Sequence, residues 1–196
     1  MTKPCLRVLM IGFGIGALLV AGQYAAAQTN ATDLNSVREK AQKGDPTAQF
    51  ELGIMYRQGK DVPADLSLAA DWFRKAAAQS NTEAMIQLAI MYGTGRGLPK
   101  DESQTVFWFR QAAELGDSSA QFNLGGMYAR GQGVAQNYVE AYKWQTLAIA
   151  RPPNERDKAH YAEAREAIAK ELTTDQLAEA NAAAQTWMQA FARKKQ

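Results

Sequence analysis

The sequence predicts an all-α protein built as a stack of helical hairpins, and three observations carry that reading. Alanine is abundant, β-branched residues are sparse, and strand-like alternation is hard to find. Apolar residues recur at helical spacing through most of the chain. Above all, the chain repeats itself. With Ala48, Ala84 and Ala120 set in one column, the spacing is 36 residues both times without a gap. Six further columns are then identical: Leu52/Leu88/Leu124, Met55/Met91/Met127, Tyr56/Tyr92/Tyr128, Gly59/Gly95/Gly131, Trp72/Trp108/Trp144 and Ala76/Ala112/Ala148. Chance does not align residues as rare as Trp and Tyr in this way.

Residues 1–27 differ from the rest and read as a secretory leader. Lys3 and Arg7 form a short positive region, Val8 to Val20 is an uncharged apolar run, and Ala25-Ala26-Ala27 matches the small-x-small pattern of signal peptidase, with cleavage expected after Ala27 or at a neighbouring site. The apolar run is shorter than the roughly 20 residues of a membrane span. The single cysteine, Cys5, would leave with the leader, so the mature chain would carry neither disulfide nor thiol.

Residues 28–47 are expected to hold a linker and a half-repeat helix. Val37 stands 36 residues before Phe73, and Ala41 the same distance before Ala77. Three repeats follow, at 48–83, 84–119 and 120–153, each reading as helix A and helix B. In the first, Ala48, Leu52, Met55 and Tyr56 fall at i, i+4, i+7 and i+8 on one face of helix A. Helix B is expected from about Leu66 to Gln79, with Ala69, Trp72, Phe73, Ala76 and Ala77 together. Asp65, Asp101 and Asn137 stand where an N-cap acceptor belongs. Gly44 and Gly116 stand where a helix must end. A lone hairpin cannot bury such faces, so each unit needs its neighbours.

The pattern breaks at "ARPPNERD", and residues 154–196 are expected to form two capping helices, about Glu155–Leu172 and Asp175–Arg193, the second capped by Thr174 or Asp175. Leu177, Ala180, Ala184, Trp187, Met188 and Phe191 would make one apolar stripe, read as covering the open end of the stack.

The stretch "YGTGRGLPKD" invites comparison with a phosphate-binding loop. Such a loop needs a strand before it and a lysine directly after its last glycine, and neither is present. Gly95 is the counterpart of Gly59 and Gly131, so it marks the turn from helix A to helix B. Gly93 alone is peculiar to its repeat, replacing Arg57 and Ala129.

Chemistry-bearing constellations are few. His160 is the single histidine, which excludes two-histidine metal motifs, and its setting in "DKAHYAEA" suggests a surface or cap-packing role. No G-x-S-x-G elbow occurs. Glu166 and Lys170 sit on a solvated face. The periodic Tyr and Trp residues could offer a sugar or peptide platform, but their strict period points to core packing. Lys+Arg number 22 and Asp+Glu 20; loss of Lys3 and Arg7 leaves 20 against 20, a poor basis for binding nucleic acid or anionic lipid. No cofactor is expected, nor any membrane anchor after cleavage.

These columns resemble the Sel1-like repeat, a relative of the tetratricopeptide repeat, whose pattern is A-x3-LG-x-MY-x2-G-x-GV-x2-D-x3-A-x2-W-x3-A(A). It stands here as "AQFELGIMYRQGKDVPADLSLAADWFRKAA", "AMIQLAIMYGTGRGLPKDESQTVFWFRQAA" and "AQFNLGGMYARGQGVAQNYVEAYKWQTLAI". The match spans about residues 40–150, and "LTTDQLAEANAAAQTW" resembles the closing helix of many bacterial members. Asp61, Ala89 and Gln145 depart from the pattern. The resemblance implies a right-handed α/α solenoid of three hairpins with a concave groove, acting by protein–protein interaction. Some secreted members were described as penicillin-binding or β-lactamase-like. Those are cysteine-rich, and these repeats have no cysteine.

By alignment to tetratricopeptide grooves, the helix A positions facing away from helix B are Thr47, Phe50, Ile54 and Arg57; Glu83, Ile86, Ile90 and Gly93; and Ser119, Phe122, Gly126 and Ala129. Phe50, Ile54, Arg57, Glu83, Ile86, Ile90 and Phe122 are the candidate partner contacts. Two readings of the apolar ones stay open: an exposed strip for an extended or helical peptide, or packing against the next repeat. The favoured function is a monomeric, exported, non-enzymatic module that binds a protein or peptide, in the periplasm or outside the cell. The competing readings are an envelope enzyme or binder of β-lactams or peptidoglycan, and a host-directed effector.

Overall fold

A computed structural model describes residues 34–194. The leader and most of the linker, 1–33, lie outside the described residues. Nine helices and no strands are present among the described residues. Helix α1 spans residues 34–42. It is followed by α2 (Pro46–Gln58), α3 (Leu66–Ala77), α4 (Thr82–Thr94), α5 (Glu102–Glu114), α6 (Ser118–Arg130), α7 (Tyr138–Ala150), α8 (Glu155–Ala169) and α9 (Thr174–Arg193). The hairpins are α2–α3, α4–α5 and α6–α7, and α4 packs back on α3 as α6 does on α5. This is the expected α/α solenoid of three hairpins closed by two further helices.

The local chemistry repeats with the sequence. Asp65, Asp101 and Asn137 accept from the amides of Leu68, Gln104 and Glu140, as N-caps of the three B helices. The A helices are capped in the same way by Asp45, Asn81 and Asp117, a second 36-residue column. The expected cap of α9 is corrected. Thr173, not Thr174 or Asp175, is the N-cap, because Gln176 three residues on returns a bond to its amide and closes a capping box. Helices α3 and α8 also end a few residues sooner than the sequence periodicity suggests, at Ala77 rather than Gln79 and at Ala169 rather than Leu172. A turn with a left-handed Ser80 takes over after α3, as one with a left-handed Gly116 does after α5.

Leu52, Leu88 and Leu124 are all at most 1% exposed, so the periodic leucine is the centre of each layer. Small residues set how close the layers lie. A Cβ at Gly53 would meet the Phe73 ring at 2.6 Å. Gln145, where the other repeats place Phe73 and Phe109, is 1% exposed and donates to the Phe122 carbonyl at 3.1 Å. Arg74 donates to the Tyr92 hydroxyl and, 36 residues on, Arg110 donates to that of Tyr128. The periodic aromatics are therefore part of the packing between layers: Trp144 is buried, and Tyr56, Tyr128 and Trp108 lie half-buried against the main cluster.

The closing helices have distinct tasks. Helix α8 packs on α7 as α4 packs on α3, so it stands where a fourth helix A would. Helix α9 also packs on α7. Its stripe is laid against the stack: Ala184 belongs to the main cluster, and Trp187 and Met188 pack on it. Trp187 stacks on Phe191 at 4.7 Å, and the tip of Phe191 fills the space over Gly116, where a Cβ would lie 2.5 Å from it.

Candidate functional site

The candidate contacts lie on the A helices, and the structure buries them unequally. Phe50 is half-buried, with its ring 5.8 Å from that of Phe73. Ile54 and Ile86 are half-buried and pack against the main cluster. Ile90 is 44% exposed, and Glu83 is exposed at the start of α4. The two readings left open by the sequence thus divide by residue. Phe50, Ile54 and Ile86 are partly core, whereas Ile90 presents itself to solvent.

Phe122 is covered by the chain itself. Its ring stacks on Tyr161 of α8 at 4.3 Å and 19°, and His160 lies 5.0 Å away. The apolar strip therefore does not run the whole length of the A helices; α8 closes it at the third. His160 is exposed and packs its ring beside Phe122.

Three hollows open along the layers. One of about 390 Å³ lies between α1 and α2, lined by Val37, Phe50, Ile54 and Met55 with Glu51 and Lys60 on its rim. A second, about 290 Å³, lies between the first and second repeats, lined by Arg57, Leu66, Gln87, Ile90, Met91 and Arg96. A third, about 250 Å³, lies between the second and third repeats at Gly93, Lys100, Thr105, Asn123 and Arg130. Arg57 donates to Gln87 across the second hollow, tying α2 to α4. Among the described residues no three His, Cys, Asp or Glu side chains gather as a metal site, and no helix is long and apolar enough to cross a membrane.

The sequence reading passed over most residues of the third hollow. Lys100 aligns with Ala64 and Gln136, so no period marks it. The signal lay in the departures from the chain's own pattern: Gly93 against Arg57, Asn123 against Gln87, and Arg130 against Thr94.

The comparisons with known proteins agree with this architecture. The Sel1 repeat model matches at residues 46–81, 82–117 and 118–151, together more than half of the chain. The chain belongs to the Sel1 repeat family. Repeats of this family typically serve as scaffolds for protein–protein interaction. A Sel1 repeat protein from Oxalobacter formigenes superposes with a TM-score of 0.61 at 37% identity, covering 67% of this chain and 98% of that one. The protein c5321, described as a protective antigen of uropathogenic Escherichia coli with an SLR fold, gives a TM-score of 0.60 at 29% identity, over 82% of this chain and 41% of that one. The secretory immunoglobulin A-binding protein EsiB of Escherichia coli O6:H1 is 41% identical over 77 residues, 39% of this chain. The chain spans only 14% of the length of that relative.

Proposed function

We propose that this Sel1 repeat chain is an exported, non-enzymatic interaction module that grips a short segment of a protein partner along the groove face of α2 and α4. The observation that supports it is Ile90, 44% exposed on a helix A whose other large apolar residues are buried or half-buried. An apolar side chain of that size, on the lining of a hollow that also holds Arg57, Gln87 and Arg96, suits a partner's side chains better than a small soluble ligand. Closure by α8 leaves room for a short segment only. The positive region, apolar run and alanine triplet of residues 1–27 support export, with the periplasm as the working compartment. The chain acts as a monomer in this reading. That EsiB is named for binding an immunoglobulin fits a protein partner, without identifying this one.

The test is photo-crosslinking from position 90 in the native envelope, with the same photoreactive residue at Phe107 on helix B as the control. A discrete protein adduct from position 90 that is absent from position 107 is expected. Identical adducts from both positions, or none from position 90, would overturn the proposal.

A further inference from the structure

The hollow between the second and third repeats differs from its counterpart one layer earlier at four places that act together. Between the first two repeats, Arg57 reaches Gln87 and closes the gap. The same two positions 36 residues on hold Gly93 and Asn123. Glycine removes the arm, and asparagine is one methylene shorter and turns back to donate to the Ser119 carbonyl of its own helix at 2.8 Å. The third change supplies a cation from the opposite wall. Thr94, whose hydroxyl is spent on the Ile90 carbonyl at 2.7 Å, becomes Arg130. Ile90 becomes Gly126, and the Arg130 guanidinium folds over it, with Nη1 only 3.1 Å from where a Cβ would stand.

Among the described residues the Arg130 guanidinium is paired with no acid. Arg130 Nε donates to the Gln132 side chain at 2.7 Å, and its two terminal nitrogens make no hydrogen bond or ion pair among the described residues. Lys100 lies on the same hollow, paired at 3.6 Å with Glu102, which also lines it. Phe109 and Met127 make an apolar floor. The two free terminal nitrogens of the Arg130 guanidinium, with the Lys100 ammonium on the same hollow, suit a planar anion.

We infer that the hollow bounded by Gly93, Lys100, Asn123, Arg130 and Gln132 is a carboxylate-binding pocket. It takes an acidic side chain or the terminal carboxylate of the segment held in the groove. This deepens the groove reading and rests on it for the identity of the ligand's carrier, though the pocket can be probed alone.

The experiment is a ¹⁵N-edited NMR titration of the full mature chain with three probes: N-acetyl-glutamate amide, N-acetyl-leucine with a free carboxyl, and N-acetyl-glutamine amide. The two carboxylates are expected to shift the Gly93 and Gly126 amides and the Arg130 Nε–H saturably; the glutamine probe is not. The tighter of the two carboxylates tells whether a side chain or a chain terminus is the source. Arg130→Gln should weaken binding about tenfold or more, the loss of a charge-assisted contact. Gly93→Glu, which places a carboxylate of the chain's own on the hollow, should weaken binding of both carboxylate probes while the melting temperature stays near that of the parent. Equal shifts from the glutamine probe, or undiminished binding in Arg130→Gln, would overturn the pocket. A pocket that fails while position 90 still captures a partner would leave the groove reading standing, and the converse would leave the pocket standing.

Discussion

The ring of Phe122 on α6 lies stacked on Tyr161 of α8, 4.3 Å between centroids and 19° between planes. Tyr161 is 5% exposed, so the closing helix is anchored on the third A helix through this pair. Tyr161→Ala should cost about 2–4 kcal/mol. The Phe122→Ala/Tyr161→Ala double-mutant cycle should return a coupling of about 0.5–1.5 kcal/mol, the share of an aromatic pair beyond its area. Urea unfolding of the four proteins measures both. Strictly additive losses would mean that the two rings are merely neighbours.

The turn at Gly133 is fixed twice over. Its φ is 67°, and a Cβ there would lie 2.2 Å from the Glu102 carbonyl oxygen of the preceding repeat. Gly133→Ala should therefore cost more than the roughly 1–2 kcal/mol of left-handed backbone alone. Gly59, at φ 69°, meets nothing closer than 3.2 Å, so Gly59→Ala should stay within that range. Thermal unfolding of the two variants gives the comparison. Ser80 is the reverse case. It holds φ 66° in the column otherwise filled by Gly44 and Gly116, and Ser80→Gly should raise the melting temperature.

Phe50 and Ile90 both stand on A helices but do not carry the same load. Phe50 packs on Phe73, which is fully buried. Phe50→Ser should destabilise by about 2 kcal/mol or more, as partial loss of a core ring. Ile90→Ser should change stability by at most about 0.5 kcal/mol, as surface replacements do. Differential scanning calorimetry separates the two. Only Ile90→Ser is then a clean probe of partner capture; on Phe50→Ser, lost capture could be lost folding.

Most of the fold was legible because the repeat writes each contact three times. Leu52, Leu88 and Leu124, or Asp65, Asp101 and Asn137, announce their roles by recurring. What occurs once was harder to read. That α8 would cover Phe122 depends on how a non-repeating helix docks, and a single Tyr161 in "DKAHYAEA" carries no period to mark it. The division of the candidate strip into half-buried Phe50, Ile54 and Ile86 and exposed Ile90 depends on layer spacing, which small residues such as Gly53 set through contacts distant in sequence. The third hollow was visible only as a subtraction, Arg57 minus Gly93 and Gln87 minus Asn123. That becomes meaningful once the two pairs are known to face each other across adjacent layers.

Tyr128 makes the stability of the stack pH-dependent at the alkaline end. Burial pushes its phenol above the ordinary value of 10.0, and the charges of Glu140 and Glu114 act in the same direction. Arg110 opposes them through its charge and through the hydrogen bond of 2.6 Å to the hydroxyl. The net shift is upward, so in the folded chain the phenol keeps its proton at pH values where the unfolded chain has begun to lose it. Its contribution is whole below a pH of about 10, and it is lost as the pH rises through the folded value. Tyr128→Phe removes the proton and the Arg110 bond together. The variant should be less stable at neutral pH by about 1 kcal/mol. The gap between it and the parent should then narrow above pH 10. Urea unfolding from neutral pH into that range, run on both proteins, supplies the two curves, and the lysines common to them cancel in the difference. A gap that widens with rising pH would show that the phenolate is held by Arg110 more strongly than burial disfavours it, reversing the sign of the shift.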